Sequence, residues 1–411
     1  MAYVSLIALF LTVTNFVPIS AIGFAPMVLC AWRFYGRTYP AFVTSLSLFA
    51  GYALLSTLIY DPASLVNFDF YRRDGNFFVS YAPILAGCVY NHRWNVNKLL
   101  TCFFVFAVLA NVPPYASYLV HHGLLSPLEN AGETFGSYFI ARNAAGGFLA
   151  MLFCLGLACY LNKSSWSLLA VLALNAAMLV STYSRGSMLG VLVVLPYVVF
   201  GRKRWMLVSL IVGVIAISLA VAAYHTRPSV DYFGFPFDIA NPDEKVANLD
   251  IRYEWLWPRA LAYFSQSPVF GLGFGSFDDH IARVIDYFGL FGQPLEVEIV
   301  HSDSHAHNSY LNILAELGVV GLILMMRFMW QLIAWASDGA TRAWREGATD
   351  YVGYLFVELS AVCLIAMSCS EHRLTSPSNV LIMSLAVSLL LASRAPRVAQ
   401  SWRRTATSIR A

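Results

Sequence analysis

Two histidines and an asparagine, His305, His307 and Asn308, stand directly before the apolar run "SYLNILAELGVVGLILMM". A neutral imidazole can accept a proton near neutral pH, as a general base must. His305 and His307 alternate, so they do not share a helical face. Asn308 or Ser309 can cap the helix that follows. His307 then sits over a helix N-terminus, where the positive end of the dipole disfavours imidazolium. Loop histidines exposed to water would have the same spacing. A zinc reading of "HSDSHAH" (His301, Asp303, His305, His307) has suitable ligand types, but its spacing matches no standard pattern.

Three arginines form the second set. Arg142 in "FIARNAAGG" and Arg185 in "STYSRGSMLG" both fall at predicted outer membrane boundaries, and Arg252 opens "IRYEWLWPRA" in the long connection that follows. Arginine binds phosphate bidentately and keeps its charge, so several converging on one spot would suit a diphosphate. Each could equally snorkel or pair with a nearby acid. Glu316 lies nine residues past His307, roughly 13 Å deeper and on the other side of the helix. It reads as structural, with Gly318 and Gly321 allowing another helix to approach. "GLGFGSF" (Gly271 to Phe277) has no strand and helix around it to make a dinucleotide site. It reads as a turn before Ser276. Asp278 and Asp279 are ordinary acids for a first helical turn.

These side chains must be held by elements that the composition restricts. The 411 residues are 58% hydrophobic and 12% charged, with net charge +3 and mean hydropathy +0.63. Soluble chains carry about a quarter charged residues. An all-α polytopic membrane protein is the expectation, and the charge gives no reason for a nucleic-acid partner. Seven cysteines lie in apolar runs and read as packing residues, not as a disulfide framework or a metal site. The opening "MAYVSLIALFLTVTNFVPIS" lacks a signal peptide's basic stretch and reads as a retained span.

With about 20 apolar residues per crossing, spans fall near 3–18, 20–32, 39–60, 76–90, 99–119, 142–161, 166–183, 187–200, 205–224, 308–335, 351–369 and 377–393. That makes about twelve. Lys and Arg concentrate in alternate short connections, at Arg33 and Arg37, Arg93 and Lys98, Lys163, the "GRKRW" stretch, and Arg342 and Arg345. The tail 394–411 is basic and has no acid. Both termini are therefore expected in the cytoplasm, although Arg72 and Arg73 run against the trend.

We read 1–411 as a single membrane domain with one long outer loop, 225–306, before the histidine segment. Twelve acids against five basic residues give that loop net charge −7, so an anion site within it needs individual arginines. "DIRYEWLWPRALAYFSQ" suits an amphipathic helix at the membrane interface. In "SFDDHIARVIDYF", Ser276 and Asp279 suit the start of a second short helix.

The ordered segments "TFGSYFIARNAAGGFLAM", "STYSRGSMLG", "RYEWLWPRALAYFSQSPVFGLGFGSF" and "HAHNSYLNILAELGVVG" resemble the O-antigen ligase and polymerase family of bacterial inner-membrane glycosyltransferases. The resemblance spans roughly residues 130 to 330. It implies a GT-C-like fold and a metal-independent, inverting transfer with no cofactor. The donor would be a glycan on a polyprenyl (undecaprenyl) diphosphate, and the site would face the periplasm. His307 corresponds to the family's essential histidine, and Arg185 and Arg252 to its diphosphate contacts. The pattern near Arg142 centres on Asn143. Asn308 and Tyr310 belong to the His-Asn-x-Tyr-Leu motif, whereas His305 is not strictly part of it.

The acceptor separates two branches. A ligase moves O-antigen to the lipid A-core, and a polymerase joins lipid-linked repeats. The compact outline favours the ligase, and the lack of a large C-terminal periplasmic domain argues against a protein-glycosylating branch. The reading from another class is a polytopic glycan or lipid transporter. Such proteins often carry internal repeats and midplane polar residues. No repeat is visible here, and the polar residues gather at one boundary.

Overall fold

The computed structural model describes residues 39–66, 70, 74–88, 94–123, 134–139, 141–203, 252, 256–277, 281–283, 294–296 and 305–393. The expected spans 3–18, 20–32 and 205–224 lie outside them. So do most of the 225–306 loop, including His301 and Asp303, and the tail 394–411.

The described chain is helical. In order come α1 (Ala41–Tyr60), α2 (Asn76–Gly87), α3 (Val96–Ala110), α4 (Val112–His122), α5 (Arg142–Asn162), α6 (Trp166–Ser181), α7 (Arg185–Val199) and α8 (Trp257–Gln266). After a small hairpin follow α9 (Ser309–Glu346), α10 (Tyr351–Met367) and α11 (Pro377–Ser393). Ala41–Tyr60, Val96–His122, Arg142–Asn162 and Ser309–Glu346 are long and apolar enough to cross a membrane. Five further apolar helices are shorter. The expected span 99–119 is divided at Asn111, which ends α3 and precedes the Val-Pro-Pro start of α4. Proline fits there because the first helical N–H groups need no intrahelical partner.

Every residue of α10 is buried, as is α5 from Ala145 to Cys159. A helix apolar on all sides belongs at the centre of a bundle, and α10 packs against α5, α7, α9 and α11. Six cysteines are described, all free, and five of them are buried.

Asn97 N donates to Thr349 O at one end, 2.8 Å away. At the other end, Phe135 N donates to Ser181 O and Ser309 N to Ser368 O, both at 2.9 Å.

Helix α9 is not one straight rod. Gly318 has φ 61° and ψ −165°, so the helix breaks there. The segment Pro268 to Gly273 enters the gap and takes up the backbone groups the break would orphan. Leu272 N and Gly273 N donate to the carbonyls of Ala315 and Glu316 at 3.0 and 2.9 Å. Val319 N and Val320 N donate to Pro268 O and Val269 O at 2.8 and 3.2 Å. A broken helix survives in an apolar setting only when such groups are satisfied again. A Cβ on Gly318 would lie 2.3 Å from Val269 O, and one on Gly271 would lie 2.2 Å from the Glu316 carbonyl carbon. This corrects the expectation of a helix contact, because Gly318 receives a loop. Gly321 faces the Leu317 side chain of its own helix.

The amphipathic helix is α8, and its apolar face packs on protein. Leu256, Trp257, Ala260 and Tyr263 form a cluster with Leu272, Phe277, Ala306, Leu311 and Ala315. Arg259 lies 4.7 Å from the Phe277 ring centroid and donates to Phe277 O. The second short helix expected after Ser276 is replaced by strand β1 (Ile281–Arg283), paired antiparallel with β2 (Pro294–Glu296). The Ser276 hydroxyl donates to Gly273 O at 2.7 Å and closes the glycine turn.

Candidate active site

Asn308 caps α9, with its Oδ1 accepting from Tyr310 N and Leu311 N at 3.0 and 3.1 Å. Its Nδ2 donates to Cys369 O at 2.9 Å. This ties the histidine segment to the turn between α10 and α11, "SCSEHRLTS". Ser309 completes the seam. Its hydroxyl donates to Glu371 O and accepts from Arg373 N and Leu374 N, at 3.2, 2.8 and 3.3 Å. Tyr310 is a packing anchor, buried and donating to Ile365 O at 2.7 Å. His307, just before the cap, has φ +48°. A bulky residue in the left-handed region costs on the order of 1–3 kcal/mol and persists only where its surroundings impose it.

The Glu371 carboxylate is the hub. Oε2 lies 3.2 Å from His307 Nδ1. Oε1 accepts from Arg252 Nη2 at 2.6 Å and from Asn143 Nδ2 at 3.4 Å. Arg252 also donates through Nη1 to Ser370 O at 2.8 Å. Burial alone would raise the Glu371 pKa. The His307 hydrogen bond and the charges of Arg373, Arg252 and His307 outweigh it and pull the value down to about 2. Glu371 is therefore a carboxylate at any physiological pH.

Arg373 is buried and joins two helix starts. Nη1 donates to Asn143 O at 2.6 Å and Nη2 to Ser184 Oγ at 3.3 Å. Its own N–H bonds Ser309, so the N-termini of α5, α7 and α9 converge on one turn. Convergent helix N-termini carry partial positive charge, a setting that favours anions.

His305 and His372 lie to one side of the hub. Their rings stack with centroids 4.0 Å apart and planes 12° apart. His305 Nδ1 is 3.5 Å from Asp74 Oδ1, and His372 Nε2 is 2.5 Å from Thr375 Oγ1. Burial pushes the His372 ring well down, helped by the charges of His305, His307 and Arg373, so it is neutral. Asp74, His305 and His372 bring potential ligand atoms within 4.8 Å of one another. An imidazole lone pair lies in its ring plane. Two rings stacked nearly parallel do not aim at one point, so an ion could be shared only after one ring turned.

The structure thus joins His307, Arg252, Asn143 and Asn308 around one turn. Arg142 and Arg185 are the first residues of α5 and α7 and are exposed. Among the described residues their side chains make no hydrogen bond or ion pair. Glu316 is buried and faces Asn312 and the backbone of Gly275 and Phe277. The sequence reading missed Glu371, His372, Arg373 and Asp74. A signal existed, since "EHR" sets three ionisable residues in a short connection between two apolar runs.

No curated protein matches the chain. A family model described as O-antigen ligase matches residues 168–326. That stretch runs from α6 into α9 and supplies Arg185, Arg252 and His307. Over residues 168–326 the chain is similar to the O-antigen ligase family, and a helical, apolar chain in which Arg252 and His307 meet one turn agrees with that match.

Proposed function

We propose that the protein transfers a glycan from a polyprenyl-diphosphate carrier to an acceptor sugar hydroxyl at the periplasmic face of the bacterial inner membrane. Ligation of O-antigen to the lipid A-core is the preferred form. The observation that carries this is the sharing of Glu371 by a histidine and an arginine, His307 and Arg252. A proton acceptor and an anion-binding group are held by one carboxylate at the end of an apolar bundle, the depth at which a lipid-borne diphosphate lies.

In the reaction the acceptor O–H proton passes to His307 as the oxygen bonds the anomeric carbon. The bond from that carbon to the diphosphate oxygen breaks, and the configuration inverts. Charge grows on the leaving diphosphate, and fixed cations stabilise it without reorganising. Arg252 supplies that charge, with Arg185 and Arg142 on the adjoining helix starts. These arginines would do the work of a metal, so no cofactor is needed. A placed base contributes about 10²–10⁴-fold. Glu316 is buried at the break in α9, where its backbone carbonyl accepts from Gly273 N, and this packing supports the enzyme over a transporter working through a midplane carboxylate.

Deletion of the gene followed by analysis of surface glycan tests the proposal. Loss of glycan-capped lipopolysaccharide with lipid-linked polymer retained is expected. Accumulation of single lipid-linked repeats would assign the polymerase instead. Unchanged surface glycan would reject both.

A further inference from the structure

We infer that Glu371 is a positioning residue for this transfer: it fixes the hydrogen on His307 Nδ1, leaves Nε2 to take the acceptor proton, and holds Arg252 in register with that base. The inference deepens the glycosyl-transfer reading and rests on it. The first part follows from hydrogen-bond chemistry. An ionised carboxylate can only accept, so the 3.2 Å contact requires the hydrogen on His307 Nδ1. In the neutral ring the lone pair is then on Nε2. A carboxylate behind an imidazole fixes tautomer and orientation and stabilises the imidazolium formed during the step.

The second part follows from counting donors. Guanidinium has five N–H donors. Among the described residues, Arg252 commits one to Glu371 and one to Ser370 O. The remaining donors can meet phosphate oxygens while the arginine stays anchored. Base and anion clamp are thereby tied through one side chain, although Arg252 and His307 lie far from it in sequence. Asn143 Nδ2 on Oε1 adds a third tie, from the start of α5. The charged and titratable groups around this pair are Arg252, Arg373, His372, His305 and Asp74.

The test uses full-length protein in lipid vesicles with a polyprenyl-diphosphate glycan donor, and follows transfer rate against pH. Glu371→Gln preserves shape but offers an N–H to Nδ1, which selects the wrong tautomer. Transfer should fall by about 10²–10⁴-fold. Any residual activity should have its acid limb at lower pH, since a carboxylate no longer favours the imidazolium. Glu371→Asp should transfer more slowly than wild type but keep the wild-type acid limb. A Gln variant with wild-type rate and pH profile overturns the inference. So does an equal loss in Gln and Asp with no movement of the limb, which marks a purely structural role. If the Gln protein does not fold, Asp decides: measurable transfer with the wild-type limb supports the inference, and a moved limb or no transfer rejects it. His307→Ala run alongside separates the two levels. Full activity in that variant removes the transfer reading itself, whereas an inactive His307→Ala beside a wild-type-like Glu371→Gln removes only the role of Glu371.

Discussion

Two carboxylates meet arginines at opposite ends of the bundle, and their surroundings differ. Glu358 lies within α10 and accepts from Arg202 Nη1 at 2.8 Å and Tyr197 OH at 2.9 Å. One acid, one arginine and two hydroxyls, of Tyr197 and Ser337, make a closed set. Glu371 faces Arg252, His307 and Asn143, with buried Arg373 in the same turn and exposed Arg142 and Arg185 on nearby helix starts. There the cations outnumber the acid. A balanced buried pair fastens helices, whereas a pair in cationic excess is prepared for a further anion. Burial of an arginine and a glutamate does not by itself mark a site; the local charge balance separates the two.

The largest contrast should come from donor binding. Arg252→Ala is expected to weaken binding of the polyprenyl-diphosphate donor by about 10- to 100-fold, because hydrogen bonds to charged groups are worth about 1.5–3 kcal/mol. Glu358→Gln should leave donor binding within twofold of wild type. Equal losses in an equilibrium binding assay would erase the distinction between the two ends. A smaller effect is expected on stability. Glu358→Gln leaves Arg202 without its counter-charge and should cost about 1–3 kcal/mol, read as a lower unfolding midpoint in detergent. Arg202 is a quarter exposed, so water compensates for part of the loss. No change in that midpoint would mean that the inner pair fastens nothing.

The sequence made some of this legible. Long apolar runs revealed α1, α5 and α9 because spanning helices must satisfy lipid along their whole length. His307, Arg252 and the Asn308 cap could be found because their residue types are costly or special at a membrane boundary. The break at Gly318 could not be read locally. A glycine in an apolar run looks like a helix contact until the segment from Pro268 to Gly273 is seen to fill it. Glu371 and Arg373 were obscured for a related reason. Their partners, Arg252, His307, Asn143 and Ser184, lie 64 to 230 residues away, and no short-range pattern encodes such contacts. The strand Ile281–Arg283 was misread as helical because Ser276 looked like a cap, while its hydroxyl serves the glycine turn.

In the proposed reaction His307 takes the acceptor proton while arginines, not a metal, stabilise the leaving diphosphate. The direct measurement is glycan transfer by purified protein in vesicles containing EDTA, comparing wild type with His307→Ala at matched protein levels. Wild-type transfer should persist in chelator, and transfer by His307→Ala should fall by at least about 10²-fold. Transfer by His307→Ala at the wild-type rate, or complete loss of wild-type transfer in EDTA that added divalent metal restores, would contradict it.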